Sequence, residues 1–116
     1  MGVDFIGQGD HLSLHWQAWR ACFELALAFG WSPVGTVAPC DYPGPARWCG
    51  TYFTNDLQEV TDDDARALAA ALRGAHTALR TKTRLTKEQT QAWEGMNINM
   101  VCRLADYAEK GHFTIL

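Results

Sequence analysis

The sequence of 116 residues contains no apolar run near the roughly 20 residues that a membrane-spanning helix needs. Its first residues lack the basic head and apolar stretch of a secretory signal. No phosphate-binding loop, dinucleotide-binding fingerprint or Gly-x-Ser-x-Gly element is present. These absences argue against a membrane protein and leave no motif that identifies a reaction. We therefore expect a cytoplasmic protein without a cofactor.

The spacings of cysteine and histidine that bind metal ions are also missing. None of the four cysteines belongs to a close Cys-x-x-Cys pair, and no His-Glu-x-x-His pattern occurs. We therefore expect no metal site. Cys40 and Cys49 flank a loop rich in proline and glycine and are able to approach each other, but a cytoplasmic protein should keep them reduced.

Acidic residues are missing from a long part of the chain. Residues 65–87 hold six Lys or Arg residues and no acid, whereas residues 1–64 hold nine Asp or Glu residues and two Arg. This separation gives the folded molecule two electrical poles, which steer binding partners. The formal net charge is −3 and no aromatic residue lies between Phe53 and Trp93, which together argue against nucleic-acid binding by the basic segment.

Apolar and aromatic residues are abundant. They make up 47% of the chain, with five Trp, five Phe and three Tyr. Each aromatic ring buries roughly 150–250 Å² of surface in a core. We therefore expect one domain, residues 1–116, whose core needs no disulfide or metal.

Local patterns predict an α+β fold in which three helices pack on a small, mainly antiparallel sheet. Short runs of strand-forming residues occur at 3–6, 34–38, 51–54, 57–60 and 113–116. The pair 51–54 and 57–60, separated by Asn55-Asp56, predicts a hairpin. The rest of residues 31–50 has little regular pattern and is interrupted by Pro and Gly, so we expect a long loop there.

Helical periodicity covers three segments. The first, residues 13–29, is apolar nearly all round, so it should be central or should meet a second copy through Trp16 and Trp19. The second follows Thr61, a good N-cap, and the third follows Thr86, which forms a Thr-x-x-Gln capping box with Gln89 and runs to Gly111.

The third helix should also carry two polar residues on its apolar arc. Glu94 and Asn97 would need a buried partner there, for which His76 is a candidate.

The stretch Trp48–Leu72 contains a Tyr-Phe-x-Asn-Asp hairpin followed by a capped Asp-Ala-x-x-Leu-Ala helix. This combination resembles a block in a family of short, uncharacterised bacterial proteins, and residues 102–115 are similar to the last element of that family. The resemblance implies an α+β domain. It implies no activity, so it transfers no catalytic residue.

The excess of acids before residue 65 favours a non-catalytic domain that presents a negative surface to another, basic protein. By analogy, small acidic bacterial domains of this kind act as immunity-type inhibitors of toxins. The first turn of a helix also favours acids such as Asp62 and Asp63 for structural reasons. We expect the partner-binding residues to be Asp41, Asp56, Glu59, Asp62, Asp63 and Asp64.

The alternative is a small thiol- or histidine-dependent enzyme that uses the loop 40–50. Cys49 lies near Arg47, and a neighbouring guanidinium favours the nucleophilic thiolate. Such an enzyme would also need a base placed beside the thiol.

Overall fold

The computed structural model describes residues 2–8 and 11–116, so Met1, Gly9 and Asp10, one of the nine acids counted above, lie outside the described residues. Within these ranges the chain forms four strands and four α-helices, which confirms the predicted α+β class. The strands are β1 (Gly2–Gly7), β2 (Leu12–His15), β3 (Gln58–Val60) and β4 (Phe113–Ile115). The helices are α1 (Trp16–Ala28), α2 (Asp62–Arg80), α3 (Lys87–Trp93) and α4 (Ile98–Glu109).

The strands form one antiparallel sheet in the order β2-β1-β4-β3, so the two ends of the chain lie side by side at its centre. Side chains alternate between its faces. Val3 and Phe5 of β1 are fully buried, whereas Ile6 is exposed on the opposite face. Gly7 allows β1 to approach β4, because a Cβ there would lie 2.8 Å from the carbonyl oxygen of His112.

The helices cover one face of the sheet. Phe5 contacts Trp19 of α1, and Phe113 contacts Tyr107 of α4, with ring centroids 4.9 and 5.7 Å apart. Helix α2 packs mainly against α4, and α1 packs against both α2 and α3. In the described part of the chain, no helix has both the length and the apolarity required to cross a bilayer.

The first helix begins later than predicted. Residues 12–15 form β2 because Leu12 and Leu14 alternate into the core while the strand pairs with β1. His15 then caps α1 by accepting a hydrogen bond from the backbone N–H of Gln17. Trp19 is fully buried within the chain, so its predicted place at a dimer contact is wrong.

The predicted hairpin 51–60 is also wrong. Strand β3 pairs with β4 instead, and residues 51–54 form an irregular segment. Gln58 explains this arrangement, because its buried Nε2 donates to the backbone carbonyls of Thr51 and Thr54. The predicted strand 34–38 is reduced to a single bridge, in which Val37 pairs with Glu59.

The caps of the later helices are confirmed, but the third predicted helix is two helices. Thr86 and Gln89 form the capping box of α3. Gly95 follows the end of α3 and has a φ of 71°, which is incompatible with a continuing helix. Asn97 then caps α4, because its side chain accepts hydrogen bonds from two backbone N–H groups. Glu94 and Asn97 are therefore exposed in a linker, and the prediction that they sit on an apolar helix face is wrong.

Candidate partner-binding face

The face of the sheet opposite the helices carries a continuous row of side chains across three strands. Ile6 pairs with Thr114, Thr114 pairs with Glu59, and Glu59 is bridged to Val37. Directly paired residues of an antiparallel sheet project from the same face. We call this surface the open face: it comprises Asp4, Ile6, Ser13, Val37, Glu59 and Thr114.

Large apolar side chains lie at both ends of this row. Ile6 and Val37 are each 51% exposed, and Leu57, just before β3, is 54% exposed. Exposed apolar side chains gathered on one surface mark interaction sites more often than isolated ones do. The open face therefore has apolar positions that a partner would cover.

The residues that form the open face include carboxylates but no Lys or Arg. Its ionised groups are the carboxylates of Asp4 and Glu59, and none of the four strands contains Lys or Arg. His15 at the end of β2 and His11 just before that strand add imidazoles, and Asp56 and Asp62 add further carboxylates on either side of β3. Such a surface favours contact with a basic partner.

Most of the predicted acids lie along the edge strand β3 or next to its ends. Asp56 precedes it, Glu59 lies within it, and Asp62 and Asp63 follow it at the start of α2. Asp41 lies in the loop that continues from Val37, the residue bridged to Glu59. We call these five acids the acidic edge; all are exposed except Glu59, which is half-buried.

The structure removes Asp64 from the predicted surface. Asp64 is only 3% exposed and accepts hydrogen bonds from the hydroxyl of Tyr52 and the backbone N–H of Val34. The Tyr52 hydroxyl in turn accepts from the N–H of Gly35, at 2.8 Å. Burial, together with the bond to Asp64, raises the pKa of Tyr52. Asp64 therefore ties two loops to α2 and cannot contact a partner.

Asp62 is held in place by the residue before β4. Its Oδ1 accepts from the backbone N–H of His112 at 2.7 Å and lies 3.0 Å from His112 Nδ1. These bonds lower the pKa of Asp62, and the nearby Arg66 contributes. Gly111 makes room for the contact, because a Cβ there would lie 2.6 Å from Oδ1.

The imidazole of His112 also contacts Gln8, the residue that follows β1. Its Nε2 lies 2.7 Å from Gln8 Nε2. One neutral tautomer satisfies both contacts: Nδ1–H donates to Asp62, and Nε2 accepts from Gln8. The ring is therefore oriented at the end of the sheet.

A second cluster, on the open face, joins Asp4, His11 and Ser13. Asp4 Oδ1 accepts from Ser13 Oγ at 2.5 Å and lies 3.1 Å from His11 Nε2. These hydrogen bonds lower the pKa of Asp4, with that from Ser13 as the larger cause. A hydrolase triad would need the carboxylate on one imidazole nitrogen and the serine on the other. Here both donors share one carboxylate oxygen, so the cluster does not prepare Ser13 as a nucleophile.

The loop proposed for the alternative enzyme shows no assembled site. Cys40 and Cys49 are exposed and unpaired with each other. Among the described residues, neither thiol forms a hydrogen bond with an imidazole, and no group of three His, Cys, Asp or Glu side chains is placed to hold a metal ion. The base that Cys49 would need is not beside it.

Sequence reasoning missed the apolar part of this surface. Ile6 was available as a signal, because the alternation that buries Val3 and Phe5 places Ile6 outward. Val37 carried no such signal, because its position depends on the bridge to Glu59.

No family model, curated protein or solved structure matches this chain. The resemblance to short bacterial proteins therefore stays a prediction, and the candidate site is argued from geometry and charge alone.

Proposed function

We propose that the protein is a non-catalytic binding domain that docks a basic protein through its open face and acidic edge. The observation that supports this most directly is the row Ile6–Thr114–Glu59–Val37, which joins half-exposed apolar side chains to a carboxylate on a face without Lys or Arg. Protein interfaces commonly combine an apolar centre with a polar rim.

The acidic edge gives the proposed surface its electrostatic role. Its carboxylates would attract a basic partner and accelerate encounter, while the basic segment 65–87 lies in and beyond α2 and would orient the molecule in that field. Asp62 is partly compensated by Arg66, so Asp56, Glu59 and Asp63 should contribute most.

The proposal extends to a class of partner and a compartment. A basic toxin neutralised by an immunity-type inhibitor fits the charge, and the family resemblance suggests a bacterial source. All four cysteines lie within the described ranges and are free, which supports the reducing cytoplasm. The homodimer through residues 13–29 stays a prediction without Trp19 at its contact, and light scattering over a concentration series tests it.

The docking face is tested by placing a photo-crosslinking residue at Ile6 or, as a control, at Ile98. Ile98 is 43% exposed at the start of α4, away from the open face. In the source cell we expect a defined protein adduct from position 6 and none from position 98. Equal adducts from both positions, or none from position 6, would contradict docking at the open face.

The electrostatic role is tested with the crosslinked protein after purification. The triple variant Asp56→Asn, Glu59→Gln, Asp63→Asn should slow association by about tenfold at low salt and flatten its dependence on ionic strength. A control variant, Glu24→Gln, Glu88→Gln, Glu94→Gln, changes the net charge equally at exposed positions elsewhere and should keep the wild-type salt dependence. Equal effects of the two variants would contradict a directed acidic edge.

A further inference from the structure

A cavity of about 200 Å³ opens between α2 and α4, on the side of the molecule away from the open face. Leu72 and Val101 contribute to an apolar lining. The polar residues that line it are Arg73, His76, Thr77 and Arg80 from α2 and Cys102 from α4. The cavity therefore joins a thiol, an imidazole and two guanidinium groups contributed by two helices.

The thiol and the imidazole are in contact. Cys102 Sγ lies 3.8 Å from His76 Nδ1, within the range of a hydrogen bond to sulfur. Cys102 is half-buried and faces the cavity, whereas Cys22 is fully buried in the core. An imidazole in this position can take the thiol proton and produce the nucleophilic thiolate.

The two arginines differ in their partners. Arg73 donates to Asp106 Oδ1 and Glu109 Oε2, both at 2.8 Å, so its charge is largely compensated. Arg80 forms no ion pair within the described part of the chain, and no carboxylate lines the cavity. The guanidinium of Arg80 is therefore the group available to an anion beside the thiol.

We propose that this cavity is a reactive-thiol site for small electrophiles that carry a negatively charged group. Arg80 attracts the anion and His76 accepts the thiol proton. The Cys102 sulfur then donates its electron pair to the electrophilic atom, and the leaving group departs with the electrons of the bond that breaks. The site is separate from the open face, so the result of its test does not depend on whether the proposed partner binding is correct.

Iodoacetate and iodoacetamide provide a matched test, because both alkylate a thiolate by the same displacement of iodide and differ in charge. With iodoacetate, the new bond joins sulfur to the methylene carbon, and iodide leaves. Rates are measured at each cysteine of the full chain by peptide mass spectrometry. The exposed Cys40 and Cys49 are references, and buried Cys22, whose pKa burial raises to about 11, reports any loss of structure.

We expect the iodoacetate-to-iodoacetamide rate ratio at Cys102 to exceed that at Cys40 and Cys49 by about threefold or more at low salt. Arg80→Gln should lower this ratio to the reference value, whereas Arg84→Gln, which removes the same charge outside the cavity, should not. His76→Gln should slow both reagents at Cys102 by about tenfold.

Three results would overturn the proposal. The first is a ratio at Cys102 no higher than at the reference cysteines. The second is an unchanged ratio in Arg80→Gln, and the third is an unchanged rate in His76→Gln. Because Arg80 is exposed, its substitution should leave the fold intact, and unlabelled Cys22 confirms this in each sample.

Discussion

The hydroxyl groups of two buried tyrosines, Tyr52 and Tyr107, have opposite hydrogen-bonding situations. The Tyr52 hydroxyl donates to buried Asp64 and accepts from Gly35. The Tyr107 hydroxyl is buried without a hydrogen-bond partner among the described residues, and burial raises its pKa. The same substitution, tyrosine to phenylalanine, should therefore have different consequences at the two positions.

Tyr52→Phe should lower the free energy of unfolding by about 2–3 kcal/mol, because it leaves the buried Oδ2 of Asp64 and the N–H of Gly35 without their hydrogen-bond partner. Tyr107→Phe should leave it unchanged or raise it by about 1 kcal/mol, because it removes a polar group that has no partner. Urea unfolding curves with equal slopes measure both values. A neutral Tyr52→Phe would show that the bond to Asp64 contributes little to stability.

Asp64 also shows what residue-level patterns cannot predict. In the sequence, Asp62, Asp63 and Asp64 are equivalent acids in the first turn of a helix. The structure separates them because Tyr52 and Val34, which lie in loops, reach only Asp64. Similarly, His76 and Cys102 are unremarkable residues on separate helices until α2 packs on α4.

At the scale of elements, two glycines allow the effect of backbone conformation on stability to be measured apart from the effect of packing. Gly74 lies within α2 and Gly95 in the linker between α3 and α4, and a Cβ at either position would meet nothing within 4 Å. Gly95 has a φ of 71°, which disfavours any residue with a side chain.

Gly74→Ala should raise the free energy of unfolding by about 0.5–1 kcal/mol, because alanine loses less backbone entropy in a helix. Gly95→Ala should lower it by about 1 kcal/mol, because alanine is strained at positive φ. Thermal and urea unfolding of the two variants measure these shifts, and each serves as the control for the other. Shifts of the same sign would contradict the backbone argument.

Elements whose signals are local were predicted well. The N-caps Thr61 and Thr86, with the periodic apolar residues after Thr61, define the starts of α2 and α3 without reference to the rest of the chain. Elements that depend on distant partners were not. Strand β2 forms because it pairs with β1, and the expected hairpin fails because β4, from the other end of the chain, takes the place beside β3.

For the whole molecule, the sequence predicts that acidic and basic residues are separated along the chain, but it does not predict which surface of the folded protein carries the acids. Asp56, Glu59, Asp62 and Asp63 lie along β3 because that strand connects the loop region to α2. The open face could not be predicted, because it depends on the strand order and on all the helices packing on the other side. The separation of charge along the sequence therefore indicates a binding partner only when the fold shows which surface carries the charged residues.

The carboxylates of Asp4 and Asp62 make the stability of the whole fold depend on acid pH. Hydrogen bonds from Ser13 and His11 lower the pKa of Asp4, and those from His112 lower the pKa of Asp62, from a usual value of 3.8. Because each pKa is lower in the folded state, the unfolded state binds more protons as the pH falls. The stabilisation is therefore complete above the unfolded value and is lost as the pH falls through the folded one.

The double variant Asp4→Asn, Asp62→Asn should show a shallower loss of stability than the wild type between about pH 5 and about pH 2. Urea unfolding at a series of pH values measures this, and added salt should reduce the difference because both carboxylates are exposed. The control Asp56→Asn, Asp63→Asn removes two exposed acids whose side chains accept no hydrogen bond among the described residues. It should keep the wild-type slope, and if the two double variants had the same slope, the stabilisation would not arise from the bonded carboxylates.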